Sequence, residues 1–342
     1  MNCKSKFQIF IRLMIVCTLL FNFSLNLCAE ERCEKLEYEN GFYYTVQKGD
    51  TLWDLSQKFS DSPWQWPDLW QENKQIPNPH WIYSGERIRL YLKEGAESIA
   101  KNKKIKQKTE TKNEHITYHY SKINQVGFIK RKAVNPSGTI LKVKDTKVMI
   151  NESDIVYIRE EGGIPLSEGK KYYIYRTIKP VRAQKLTPYS GVQHYFTGVV
   201  EIFKKETGFA VGKIIKSYRA INLYDLIMPY EPLSPEITFK SSVKGLEGTI
   251  ILAEEHKVII GETDIAFIDK GSRDGIMPGQ QYSIFYQEKA RVSAHSDQAV
   301  LLPPVQYGIL LVLRTEEDSS TVLVTDSEKG AHDGARICYP LH

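Results

Sequence analysis

The spacing of hydrophobic positions changes along this 342-residue chain, and each change marks a different kind of structure. An apolar stretch, Leu13-Met-Ile-Val-Cys-Thr-Leu-Leu-Phe-Asn-Phe23, follows Lys4, Lys6 and Arg12 and precedes the first acidic residue, Glu30. A basic start, a short apolar run and small residues near Leu27-Cys-Ala29 predict a secretory signal peptide over residues 1–29. The run is short and is followed by Ser24 and Asn26, so no integral membrane span is expected after cleavage.

Beyond it the periodicity turns to strand, helix, helix, strand. Tyr44-Thr-Val46 is β-branched and aromatic, and Gly49-Asp50 turns the chain. Asp50 or Thr51 can cap a helix whose buried face carries Leu52, Leu55 and Phe59. Pro67-Asp-Leu-Trp-Gln-Glu-Asn-Lys74 predicts a second helix, with Pro67 and Asp68 suited to its first turn and Pro77 and Pro79 ending it. A turn at Tyr83-Ser-Gly-Glu86 then leads into an edge strand, Arg87-Ile-Arg-Leu90. All five tryptophans, Trp53, Trp64, Trp66, Trp70 and Trp81, fall in this stretch, where large rings compensate for a small core.

The run Tyr44-Thr-Val-Gln-Lys-Gly-Asp-Thr-Leu-Trp-Asp-Leu55, then Leu69-Trp-Gln-Glu-Asn73 and Ile82-Tyr-Ser-Gly-Glu-Arg-Ile88, resembles the LysM (lysin motif) family in order and spacing. The resemblance covers residues 43–92. It implies a βααβ fold and binding of peptidoglycan or another N-acetylglucosamine-containing glycan. Transferred position by position, it implies a groove of Gly49, Asp50, Thr51, Leu52, Asn73, Ile82 and Gly85. Ser84 stands where the commoner family pattern has proline, and Asp61-Ser-Pro-Trp-Gln-Trp66 resembles an elongated, Trp-rich variant.

Residues 93–119 lose the pattern: they are lysine-rich and poor in apolar groups, as in a solvated linker. From residue 120 short strand-like segments dominate, among them Gly138-Thr-Ile-Leu-Lys-Val-Lys144, Lys147-Val-Met-Ile150, Tyr172-Tyr-Ile-Tyr175 and Gly198-Val-Val-Glu-Ile-Phe203. Residues 138–175 align without a gap to 248–285 with 13 identities in 38 positions, at an offset of 110. Two related β-rich modules, 120–230 and 231–341, follow from this, each a barrel or sandwich because short antiparallel strands need closure or a second layer. The expected fold class is therefore multidomain: a small α+β LysM-like domain followed by duplicated all-β modules. The repeated Asp154 and Asp264 precede hydrophobic strands, where they suit turn hydrogen bonding better than catalysis.

Composition adds little: 42% hydrophobic and 25% charged residues are ordinary for a folded protein. Removing residues 1–29 lowers the formal charge from +5 to +2. With no aromatics interleaved among the linker lysines, nucleic acid is not an expected partner. Cys28 raises lipidation, but Leu27 is a poor residue before a lipidated cysteine. Cys33 and Cys338 remain after cleavage and could pair in an oxidising compartment. His115 and His119 have H-x-x-x-H spacing but lack the glutamate of a zinc-protease helix. No catalytic residue, metal or cofactor is implied.

The expected function is noncatalytic: an exported peptidoglycan-binding protein of the periplasm or cell envelope that anchors or scaffolds its β-modules. An envelope protein bound through residues 120–342 is an expected partner. A secretion or surface-appendage assembly component is the alternative, and a glycan hydrolase built on two distant carboxylates is the weaker one.

Overall fold

A computed structural model describes residues 39–60, 62–90, 116–145, 147, 149–179, 191–291 and 299–341. The signal peptide, Cys28, Cys33 and residues 93–115 of the linker lie outside the described residues.

Strand β1 (Gly41–Thr45), helices α1 (Leu52–Ser60) and α2 (Trp66–Gln71) and strand β2 (Arg87–Arg89) form the βααβ unit, with a 3-10 turn at Pro63–Gln65 before α2. β1 and β2 are antiparallel, Tyr44 opposite Ile88. Leu52, Leu55, Phe59, Leu69, Ile76 and Ile88 are buried beneath them, as the helical spacing requires. α2 ends at Gln71, before the expected Lys74, because Asn73 turns inward and binds the helix end to the sheet.

This sheet does not stop at two strands. β3 (Ile116–His119), at the end of the segment expected to be linker, pairs with β1 from Gly41 opposite His119 to Tyr44 opposite Ile116. β1 therefore reaches back to Gly41 rather than starting at Tyr44.

β4 (Phe128–Lys130) leads into a ring made of β5 (Gly138–Val143), β6 (Ile155–Glu160), β7 (Lys171–Ile178), β8 (Val192–Glu206), β9 (Phe209–Ser217) and β10 (Leu226–Pro229). The order β8-β7-β10-β5-β6-β9 closes through β8–β9 pairing, and β4 adds to β8. β11 (Glu236–Thr238) returns to pair with β3, making the sheet four-stranded. The second barrel comprises β12 (Glu247–Ala253), β13 (Ile265–Ile268), β14 (Gln281–Tyr286), β17 (Val305–Thr315), β18 (Ser320–Ser327) and β19 (Arg336–Cys338). A hairpin of β15 (Lys289–Arg291) and β16 (Ala299–Leu301) projects between β14 and β17.

The two rings have the same strand order, so the sequence repeat is a repeat of barrels rather than of sandwiches. Of Lys147–Ile150, expected as a strand, the described residues Lys147, Met149 and Ile150 lie in no strand; Ile150 makes an isolated bridge to Ile221, and Ile260 bridges to Ala331 in the second copy. Lys147 pairs with Asp154, whose carboxylate also accepts the Asn151 N–H at 3.0 Å; Lys257, Asp264 and Gly261 repeat the arrangement. The repeated acids thus hold turns.

The barrels are joined by Arg219, which donates to the Phe196 carbonyl at 2.8 Å and to Glu254 and Glu255 of the second barrel. The Glu254 carboxyl, pushed up by burial and opposed by Arg219, accepts the Gly127 N–H at 2.6 Å. Ile129 packs with Ile251, Leu252 and Phe267. Cys338 is a buried free thiol, pushed up to about 11 by burial.

His194 of β8 lies fully buried, stacked on Phe128 with ring centroids 4.4 Å apart, and its Nε2 accepts the Val134 N–H at 3.0 Å. Burial, reinforced by Lys130, lowers its pKa from 6.5 to about 4. The unfolded chain thus takes up this proton at a higher pH than the fold does, so the stabilisation is complete above pH 6.5 and is lost as the pH falls towards 4. At about 1.4 kcal/mol per pKa unit the loss is about 3 kcal/mol. Urea unfolding at neutral and acid pH checks this: His194→Gln, which keeps an acceptor for Val134, should lose less stability on acidification than the native chain. An equal loss in both would contradict it.

Candidate functional site

Two tight turns meet at one end of the β1–β2 pair. In the first, the Asp50 N–H bonds the Gln47 carbonyl at 3.1 Å, and Gly49 takes a φ of +94° that a side chain would strain. The Asp50 carboxylate is turned into this loop, accepting the Gln47 N–H at 2.8 Å and the Tyr44 hydroxyl at 2.7 Å. Burial first, and then this bond to Asp50, push the Tyr44 hydroxyl pKa up. Thr51 caps α1: its Oγ1 accepts the Asp54 N–H at 3.1 Å and donates to the Asp54 carboxylate at 2.7 Å.

The second turn, Tyr83 to Glu86, is closed by the Glu86 N–H on the Tyr83 carbonyl at 3.0 Å, and Gly85 also has φ +94°. The Tyr83 N–H donates to the Glu86 carboxylate at 2.9 Å, so the turn forms with Ser84 where proline is commoner. Val46 joins the two turns: its carbonyl accepts the Gly85 N–H at 2.9 Å and its N–H donates to the Glu86 carbonyl at 2.8 Å.

Gly49, Asp50 and Thr51 are in this way brought beside Ile82 and Gly85. Gly49, Thr51 and Gly85 are exposed, whereas Asp50 and Ile82 are half-buried. Leu52 and Asn73 are not at the surface. Leu52 is core, and Asn73 is fully buried, its amide donating to the carbonyls of Leu69 at 2.7 Å and Arg89 at 2.9 Å and accepting the Arg89 N–H at 2.6 Å. Asn73 ties the end of α2 to β2. Val46 and Glu86 went unseen in sequence because Val46 acts through its backbone, which no residue type advertises.

None of the tryptophans is fully buried. Trp66 and Trp70 pack against the core, and Trp70 Nε1 donates to the Ile76 carbonyl at 2.9 Å. Trp53, Trp64, Trp81 and neighbouring Tyr83 are 41%, 76%, 65% and 63% exposed, and so rim the turns and helices with aromatic surface.

His119 meets the Glu236 carboxylate at 2.6 Å, while His115 lies outside the described residues. A cleft of about 420 Å³ beside β4 is lined by ions paired with one another, Lys130 with Glu316 and Arg131 with Asp318. Among the described residues no cluster of His, Cys, Asp or Glu is arranged to hold a metal ion.

Residues 44–90 match the LysM domain family. The chain therefore carries a LysM domain, a module of the glycan-binding class, over that segment. It is also 40% identical over 57 residues to the uncharacterized protein YqbP of Bacillus subtilis (strain 168), a match covering 14% of this chain and 26% of that protein. The chain thus spans about a quarter of the length of this relative.

Replacing the buried amide tests its supporting role. Asn73→Ala leaves two carbonyls and one N–H without their partner and should cost about 3 kcal/mol in urea unfolding. A loss under about 1 kcal/mol would show that water replaces the amide freely.

Proposed function

We propose that this chain is a noncatalytic protein of the bacterial cell envelope that binds peptidoglycan through its LysM domain and presents its two barrels to an envelope protein. The observation that carries the reading is the pairing of the Gly49 and Gly85 turns through Val46 within the LysM match. Glycine turns let a sugar approach the backbone closely, and backbone N–H and C=O groups there can recognise acetamido substituents. Gly49, Asp50, Thr51, Ile82 and Gly85 make the groove, with Leu52 and Asn73 holding it from below. The basic, then apolar start of residues 1–29 supports export to the periplasm or envelope. Closed barrels, which leave no open strand edge, suit rigid display of a protein-binding surface.

Pelleting the full chain with insoluble peptidoglycan tests this. The native protein should co-sediment even at about 1 M salt, where the Debye length is about 3 Å. Gly49→Val with Gly85→Val should abolish co-sedimentation, and no soluble glycan fragments should be released. Binding that disappears with salt would assign it to the lysine-rich segment instead, and fragment release would make the protein a hydrolase.

A further inference from the structure

Three tryptophans, Trp53, Trp64 and Trp81, remain outside both the core and the groove, and two of them meet. Trp53 follows Leu52 in the first turn of α1, and its ring meets that of Trp64 edge to face, centroids 4.8 Å apart and planes at 76°. Trp64 precedes α2 in the 3-10 turn Pro63–Gln65. That turn is fixed on α1 by the Ser56 hydroxyl, which donates to the Ser62 carbonyl at 2.8 Å, and is closed on itself by the Gln65 N–H on the same carbonyl at 3.3 Å. The backbone that carries Trp64 is thus held while its ring is 76% exposed, and Trp66 and Trp70 already supply the aromatic packing of the core. Core formation does not account for Trp53 and Trp64.

Their position does. Trp53 lies one residue, about 1.5 Å along the helix axis, beyond Leu52, and helical side chains lean back towards the N-terminus. Trp53 thus stands two residues beyond Thr51 in the first turn of α1, and Trp64 extends the aromatic surface from it. A β-1,4-linked N-acetylglucosamine chain has faces of axial C–H groups. These carry slight positive charge and pack on the negative face of an indole, with burial of apolar area adding to the attraction. Because each ring already packs on the other, less conformational entropy is lost on contact than by two free side chains.

We propose that Trp53 and Trp64 form a second sugar-stacking platform continuous with the LysM groove, so that the ligand is an extended N-acetylglucosamine polymer held at more sugar units than the groove alone contacts. The platform rests on the glycan-binding reading above. Its contribution is confined to units beyond the groove, so it acts on long ligands and not on short ones.

Calorimetric titration of the full chain with an N-acetylglucosamine trimer and hexamer separates the two claims. The native protein should bind the hexamer more tightly. Trp64→Ala should weaken hexamer binding about five- to tenfold, up to about 1.4 kcal/mol, and leave trimer binding within about twofold. Trp64→Phe should recover most of the loss, and circular dichroism should be unchanged because the side chain is exposed. Equal weakening of both ligands, or none, overturns the platform while the groove reading stands. If the native chain binds neither oligomer, the glycan-binding reading fails and the platform with it.

Discussion

Glu236 gathers Arg87 from β2 and His119 from β3 on one carboxylate, and this contact marks where the LysM domain becomes part of a larger sheet. Arg87 runs over the Tyr43 ring at 4.8 Å and donates to Glu236 Oε1 at 2.7 Å. Burial pushes the Glu236 carboxyl up, but the hydrogen bonds from Arg87 and His119 outweigh it and hold the group below its ordinary pKa. An isolated two-stranded sheet under two short helices buries little area and leaves an edge open. β3 covers the β1 edge and β11 covers β3, so strands from either side of the first barrel complete the module.

The apolar contacts follow the same path. Phe42 stacks on Phe239 with centroids 5.6 Å apart, and the core that contains Leu55 and Ile88 continues through Ile237 to Leu311, Leu313 and Leu323 of the second barrel. Arg219, Glu254 and the buried Ile129 then tie that barrel to the first. A glycan held at the Gly49 and Gly85 turns would therefore be held by the sheet and core that also support the barrels. Segments with continuous burial open together, which sets the site apart from a module swinging on a flexible linker.

Local chemistry was legible in the sequence. The turn glycines, the Thr51 cap and the Leu52, Leu55, Phe59 face each depend on neighbours within a few residues, so residue type and spacing sufficed. The barrel repeat was legible because turn residues such as Lys147, Asp154 and Gly169 recur at a fixed offset. β3 and β11 were not, since Ile116-Thr-Tyr-His119 and Glu236-Ile-Thr238 are too short to show a period, and it is the tertiary edge of β1 that selects them. Asn73 was placed in the groove by family likeness, whereas its partners are backbone groups of Leu69 and Arg89 that leave no mark in sequence. The tryptophans announced an aromatic module, but only the packing separates Trp66 and Trp70 from the exposed Trp53 and Trp64.

Amide hydrogen exchange of the full chain with and without an N-acetylglucosamine oligomer addresses the central claim most directly, because it reads backbone contact at both turns at once. Slower exchange at residues 47–52 and 83–86 is the result expected of a glycan seated where Val46 joins the turns. Protection confined to the barrels, or absent from both turns when the ligand is bound, would contradict it.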